Sequence, residues 1–172
     1  MTTLTRADWE QRAQQLKIEG RAFINGEYTD AVSGQTFECV SPVDGRLLAQ
    51  VASCDAADAQ RAVENARATF NEGVWAKAAP AKRKATLIRF AGLLREHAEE
   101  LALLETLDMG KPISDSLNID VPGSANALAW SGEAIDKVYD EVAPTPHNQL
   151  GLVTREAVGV VAAVVPWNFP LM

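Results

Sequence analysis

An α/β fold of small antiparallel hairpins, long packed helices and one terminal apolar strand is the architecture this sequence predicts, on three observations. Asn25-Gly26, Ser33-Gly34 and Asp44-Gly45 punctuate short β-prone runs in the first third of the chain. Apolar residues then recur at three and four residues through most of the middle, the period of an amphipathic helix. Residues 158–165 are apolar throughout and rich in valine, as expected of a strand covered on both faces.

The elements follow in order. Thr5 caps a short helix from Ala7 to about Leu16. Ala22-Phe23-Ile24 then meets Asn25-Gly26, the dipeptide that favours a two-residue type I′ turn, so a small hairpin leads the domain. Thr36 to Val40 and Leu47 to Ala52 read as strands joined by the Pro42-Val43-Asp44-Gly45 turn. Ser53 or Asp55 starts a helix through about Phe70, with Ala59, Ala62, Val63, Ala66 and Phe70 on one face and Gly73 marking its end. Pro80 opens a longer helix whose stripe of Leu87, Phe90, Ala91, Leu94, Ala98, Leu101 and Leu104 runs to Gly110, with His97 at its surface or boundary. A third helical segment, Ala125 to Val138, is begun or kinked by Pro122-Gly123. After a polar loop through Pro144, Pro146 and His147, Leu150 to Glu156 alternates enough for a strand, and 158–165 closes the chain as an interior one. No internal repeat or flexible linker divides the sequence, so no inner domain boundary is expected.

Composition narrows the partners. With 172 residues, 47% of them hydrophobic, the chain is long enough for one domain with a reasonable core. A net charge of −7 argues against nucleic acid or an anionic membrane as partner, because there is no basic block to neutralise phosphates. The densest basic run, Lys82-Arg83-Lys84, lies in a helical pattern and reads as a solvated face. The first residues carry no apolar targeting segment and no run approaches the roughly 18 apolar residues of a membrane span, so a cytoplasmic location is expected. Cys39 and Cys54 stand apart from each other and from any His, and both read as structural thiols.

Two clusters carry chemistry. Pro166-Trp167-Asn168-Phe169-Pro170 combines a backbone stiffened by two prolines, two aromatics and a carboxamide. A preorganised Asn168 N–H can stabilise an oxyanion developing on a substrate carbonyl. The competing reading, given equal weight, makes Trp167 and Phe169 core aromatics and lets Asn168 satisfy the turn backbone. The second cluster is Leu104 to Pro112. Asp108 there opposes the helix dipole near a C-terminus and calls for a cation or hydrogen-bond donors, with simple solvation the weightier alternative. A Gly-x-Gly-x-x-Gly fingerprint, a Walker loop and an assembled nucleophile and base are all missing from these 172 residues.

Phe23-Ile24-Asn25-Gly26-Glu27, Ser41-Pro42-Val43-Asp44-Gly45, Leu104 to Pro112, and Arg155 to Val160 running into Pro166-Trp167-Asn168-Phe169-Pro170 resemble the NAD(P)-dependent aldehyde dehydrogenase superfamily, in order and along essentially the whole chain. Ala81 to Lys84, His97 to Leu107 and Ala134 to Tyr139 look most like the subgroup that oxidises γ-glutamylamino-butyraldehyde and related aminoaldehydes in polyamine breakdown. The resemblance implies the N-terminal portion of that fold, ending in the first strand of a Rossmann-like cofactor sheet. It makes residues 1–172 an incomplete part, with strands contributing to an oligomerisation region and the catalytic domain absent. It further implies a Cys thiolate that attacks the aldehyde, hydride transfer to NAD or NADP, and release of the acid by a Glu-activated water. Asn168 matches the oxyanion-hole amide, Val164, Val165, Pro166 and Trp167 match residues lining the nicotinamide side of the cofactor groove, and Val40 and Asp108 match a structural monovalent-cation site. The nucleophile, the general base and the adenosine-side lysine are expected after Met172, so the isolated chain is expected to be inactive and the complete protein a homo-oligomer. Ala157 departs from the proline usual before Val-Gly-Val. Two other readings stand beside this one: a truncated, non-catalytic association module, and a free-standing cofactor-binding module.

Overall fold

The structure, a computed structural model, describes residues 4–172. Helix α1 (Arg6–Gln15) is capped by Thr5, whose hydroxyl accepts from the Asp8 amide while the Asp8 carboxylate accepts from the Thr5 N–H. Strands β1 (Ala22–Ile24) and β2 (Glu27–Thr29) form the expected hairpin. Asn25 and Gly26 both have positive φ, 56° and 79°, as a type I′ turn requires. Strands β3 (Thr36–Val40) and β4 (Leu47–Ala52) pair antiparallel with a bulge between Cys39 and Val40.

Helix α2 (Ala56–Glu72) holds the first hairpin in place through Asp58. That side chain is 2% exposed; it accepts from the Val32 N–H at 3.0 Å and the Asp55 N–H at 3.1 Å, and faces Arg61 at 3.4 Å. Arg61 in turn donates to Thr29 Oγ1 at 2.7 Å. One carboxylate therefore joins the helix cap to the loop after β2. Asp58→Ala would strand the Val32 amide and break the cap, and is expected to cost about 2–4 kcal/mol in denaturant unfolding of the full-length protein. A change under about 0.5 kcal/mol, the size of an ordinary surface substitution, would show the two amides to be satisfied by water.

The helical layer departs from the single long helix expected between Pro80 and Gly110. Helices α3 (Pro80–Glu96) and α4 (Ala98–Met109) meet at His97, whose φ and ψ of −99° and 21° leave the helical region, although Leu101 N–H still reaches the His97 carbonyl. The two halves follow different partners: α3 lies along α6 (Val121–Ala134), while α4 packs mainly on a helical turn, α5 (Ile113–Asp115), and the π-turn Ser116–Asp120 that follows it. The third segment begins at Val121, with Pro122 in its first turn as expected. Pro122 has no N–H to continue the ladder and its ring crowds the carbonyl four residues back, so the preceding turn widens, and the Val121 N–H bonds Ser116 O. Small residues let α3 and α6 approach closely. Ala91 and Ala125 are fully buried, and a Cβ on Gly132 would meet Leu87 Cβ at 3.2 Å.

Lys84 does not lie on a free solvated face: its Nζ bridges Glu133 at 2.8 Å and Asp136 at 3.0 Å across the α3–α6 seam. Hydrogen bonds from Lys137 first and Lys84 second hold the Asp136 carboxyl down at about 2, below its ordinary 3.8. The stabilisation is thus complete above 3.8 and disappears as pH falls toward 2. Asp136→Asn is expected to flatten this acid limb in thermal melts taken against pH, and added salt to do the same; an unchanged limb would place the acid sensitivity elsewhere.

The chain beyond α6 corrects the sequence reading twice. Strand β6 (Gly151–Val153) is shorter than Leu150 to Glu156, and its partner β5 (Glu141–Ala143) arises in a segment without strong β character. Residues 158–165 form no strand, and Val158 and Val164 are 91% and 98% exposed. An extended segment becomes a strand by exchanging ladder hydrogen bonds, and among the described residues none pairs with it. The described strands form three separate two-stranded ribbons, so the α/β composition is present without a parallel sheet.

Candidate functional site

The turn 166–170 is anchored by residues far from it in sequence. Gly110, in the left-handed conformation, ends α4 and sends Lys111 back under that helix. Lys111 Nζ then lies 2.5 Å from Asp120 Oδ2, 3.4 Å from Glu105 Oε1 and 4.0 Å from the centroid of the Phe169 ring. The lysine side chain is 13% exposed, those of Glu105 and Asp120 only 2% and 1%. A second tether comes from Ser124, whose hydroxyl lies 2.9 Å from both the Leu171 and the Asp120 carbonyl oxygens. The terminal turn is thus fastened to α4 and to the π-turn and α6 junction through one buried ammonium and one hydroxyl.

The charges in this cluster are unequal. Burial pushes the Glu105 carboxyl up, and its neighbour Asp120 pushes it further, with Lys111 opposing. Burial draws the Lys111 ammonium down, but hydrogen bonds and charge from Asp120 and Glu105 outweigh it and leave lysine above its ordinary value. Glu105 Oε2 is buried and has no hydrogen-bond partner among the described residues. The closer pair is Lys111–Asp120, with Glu105 the more distant carboxyl, raised above its ordinary value.

Asn168 itself is exposed, as are Val164, Val165, Pro166 and Trp167. Phe169 faces the ammonium, and within residues 4–172 Trp167 and Phe169 are 83% and 42% exposed. A cavity of about 310 Å³ lies beneath Pro170 and Leu171, and Cys39, Glu105 and Asp108 also line it. A larger groove, about 1020 Å³, runs between α1, the β3–β4 turn and the α4–α5 region, but contains none of the expected site residues.

Cys39 and Asp108 meet in the smaller cavity: the thiol donates to Asp108 Oδ1 at 3.3 Å. Burial raises the Cys39 pKa, and the Asp108 hydrogen bond and charge raise it further. That is the opposite of what a nucleophilic cysteine needs. Asp108, beside a helix C-terminus, therefore does obtain a hydrogen-bond donor. Val40 follows Cys39 at the end of β3 and is exposed. No group of three or more His, Cys, Asp or Glu side chains among the described residues is arranged to hold a metal.

Sequence reasoning identified the turn and Asp108 but missed Lys111 as its anchor, together with Glu105, Asp120 and Ser124. A signal existed in Ile119-Asp120-Val121, a charge set between β-branched apolar residues on a helical pattern. What hid the pairing is the π-turn, which brings Asp120 back to Lys111 in a way that ordinary helical spacing does not foresee.

Comparison with known proteins agrees with this organisation. Residues 28–172 match the aldehyde dehydrogenase family. The chain is 55% identical over 166 residues to the NADP/NAD-dependent aldehyde dehydrogenase PuuC of Escherichia coli, covering 96% of this chain and 34% of that protein. It superposes on the P. syringae indole-3-acetaldehyde dehydrogenase AldA, solved with NAD+ and IAA, with a TM-score of 0.97 at 81% identity, over 99% of this chain and 34% of that one. A γ-glutamyl-γ-aminobutyraldehyde dehydrogenase from Burkholderia cenocepacia gives 0.96 at 61% identity, over 98% and 34%. The chain spans about a third of the length of the curated relatives it matches. Its fold is that of the N-terminal portion of these proteins, and the chain belongs to the aldehyde dehydrogenase family.

Proposed function

We propose that these residues are the N-terminal part of an enzyme that oxidises an aldehyde to a carboxylic acid with NAD+ or NADP+. The observation that carries the reading is the anchored turn at 166–170, which presents the Asn168 carboxamide to solvent on a backbone stiffened by Pro166 and Pro170. In this reading Asn168 donates an N–H to the substrate carbonyl oxygen as it becomes an oxyanion. Val164, Val165, Pro166 and Trp167, an uncovered apolar edge leading into that amide, would line the nicotinamide side of the groove. The nicotinamide supplies the hydride acceptor when bound. Cys39 is not the attacking thiolate in this reading, because its thiol donates to Asp108 and burial together with that carboxylate raises its pKa. The Val40 carbonyl and the Asp108 carboxylate, hard oxygen donors, suit a structural monovalent cation.

The relatives favour different aldehydes. The γ-glutamyl-γ-aminobutyraldehyde dehydrogenase speaks for an aminoaldehyde and, with it, a role in polyamine breakdown, whereas the high identity to AldA speaks for an indolic one. The β5–β6 ribbon, with Val142, Leu152 and Val153 exposed, is a candidate oligomerisation edge of a cytoplasmic homo-oligomer. The test is NADH formation by the full-length gene product with each aldehyde in turn. Aldehyde-dependent NADH from the full-length protein, and none from residues 1–172 alone, is expected; no turnover of either aldehyde by the full-length protein would overturn the assignment.

A further inference from the structure

We infer that Lys111 is a positioning residue for the Asn168 amide, a role that rests on the oxyanion function proposed for Asn168. Lys111 Nζ approaches groups on three elements: Glu105 of α4, Asp120 of the π-turn, and the Phe169 ring of the terminal turn. The first two are buried carboxyls on packed elements, so the ammonium has little freedom to move. Phe169 directly follows Asn168, and a ring held over a fixed cation sets the direction of the peptide that carries the carboxamide. Ser124 holds the chain just after the turn by the Leu171 carbonyl. The fastenings at Phe169 and Leu171 have only Pro170 between them and begin at the residue after Asn168, so the chain leaving the amide has little room to swing. Lys111 does not reach substrate; it decides where Asn168 points.

This role separates from simple structural support in a double-mutant cycle on the full-length enzyme. Lys111→Met is expected to lower kcat by about 10- to 100-fold, the penalty of a misplaced catalytic group, while KM for NAD+ stays within about twofold. Lys111→Arg, which keeps the charge and stacks on rings, is expected to restore most of it. In an Asn168→Ala background the Lys111→Met loss should vanish, because the group it positions is gone. Phe169→Leu, which leaves the buried ion pair intact, is expected to give the same kcat loss and the same non-additivity; it replaces Lys111→Met if that variant does not fold. Losses that add in the double mutant, or folded variants with unchanged kcat, would overturn the inference. An Asn168→Ala enzyme with unchanged kcat would instead overturn the oxyanion role beneath it.

Discussion

Asn168→Ala in the full-length enzyme is expected to reduce kcat by about 10²–10³-fold, equivalent to about 2.7–4 kcal/mol of lost transition-state stabilisation. KM for the aldehyde should change little, because the amide is aimed at charge that develops after binding. The melting temperature should change little as well, since Phe169, not Asn168, fastens the turn. That separation makes the result readable. A fall in kcat at constant stability identifies an electrostatic role; a fall in stability with kcat retained per folded molecule would return Asn168 to the turn-satisfying role that the sequence also allowed.

The second large effect is on folding. Asp120→Ala removes the closer carboxylate from a lysine whose side chain is only 13% exposed, and is expected to cost about 3–5 kcal/mol, the usual result of leaving a buried charge without its partner. Glu105→Gln should cost far less. Burial already holds the Glu105 carboxyl above its ordinary 4.5, so a neutral amide of the same shape imitates the form the fold prefers. The sign can be checked against pH. A carboxyl raised in the folded state makes its full contribution below 4.5, and that contribution declines as pH rises through the folded value. Denaturant unfolding across this range should therefore show a declining limb in the parent protein that Glu105→Gln abolishes. Equal losses for the two variants would mean that both carboxylates are ionised and share the lysine equally.

Local features were legible in the sequence where local chemistry decides them. Thr5 and Asp55 cap α1 and α2, Asn25-Gly26 makes its type I′ turn, and β3 and β4 carry the residues expected of them. The family was legible in the 166–170 motif, because its two prolines, two aromatics and amide form a pattern that few other uses require. The long-helix reading failed at His97, where the apolar period continues but the packing partner changes. The strand reading of 158–165 failed for a related reason: valine-rich sequence supplies the side chains of an interior strand but not the neighbouring backbone.

The anchor of the site was not legible beyond the one charge set in Ile119-Asp120-Val121. Lys111 stands at a helix exit, Glu105 on an apolar helix and Asp120 between apolar residues, and nothing within a few residues of each one pairs it with the others. The sequence by itself determined which turns form, where helices begin and which residues carry chemistry, because capping, dihedral preference and side-chain functionality act over a few residues. The tertiary structure alone decided that one buried ammonium joins α4, the π-turn and the Phe169 ring, because Coulombic and cation–π contacts depend on distance in space, and the π-turn before Pro122 sets that distance.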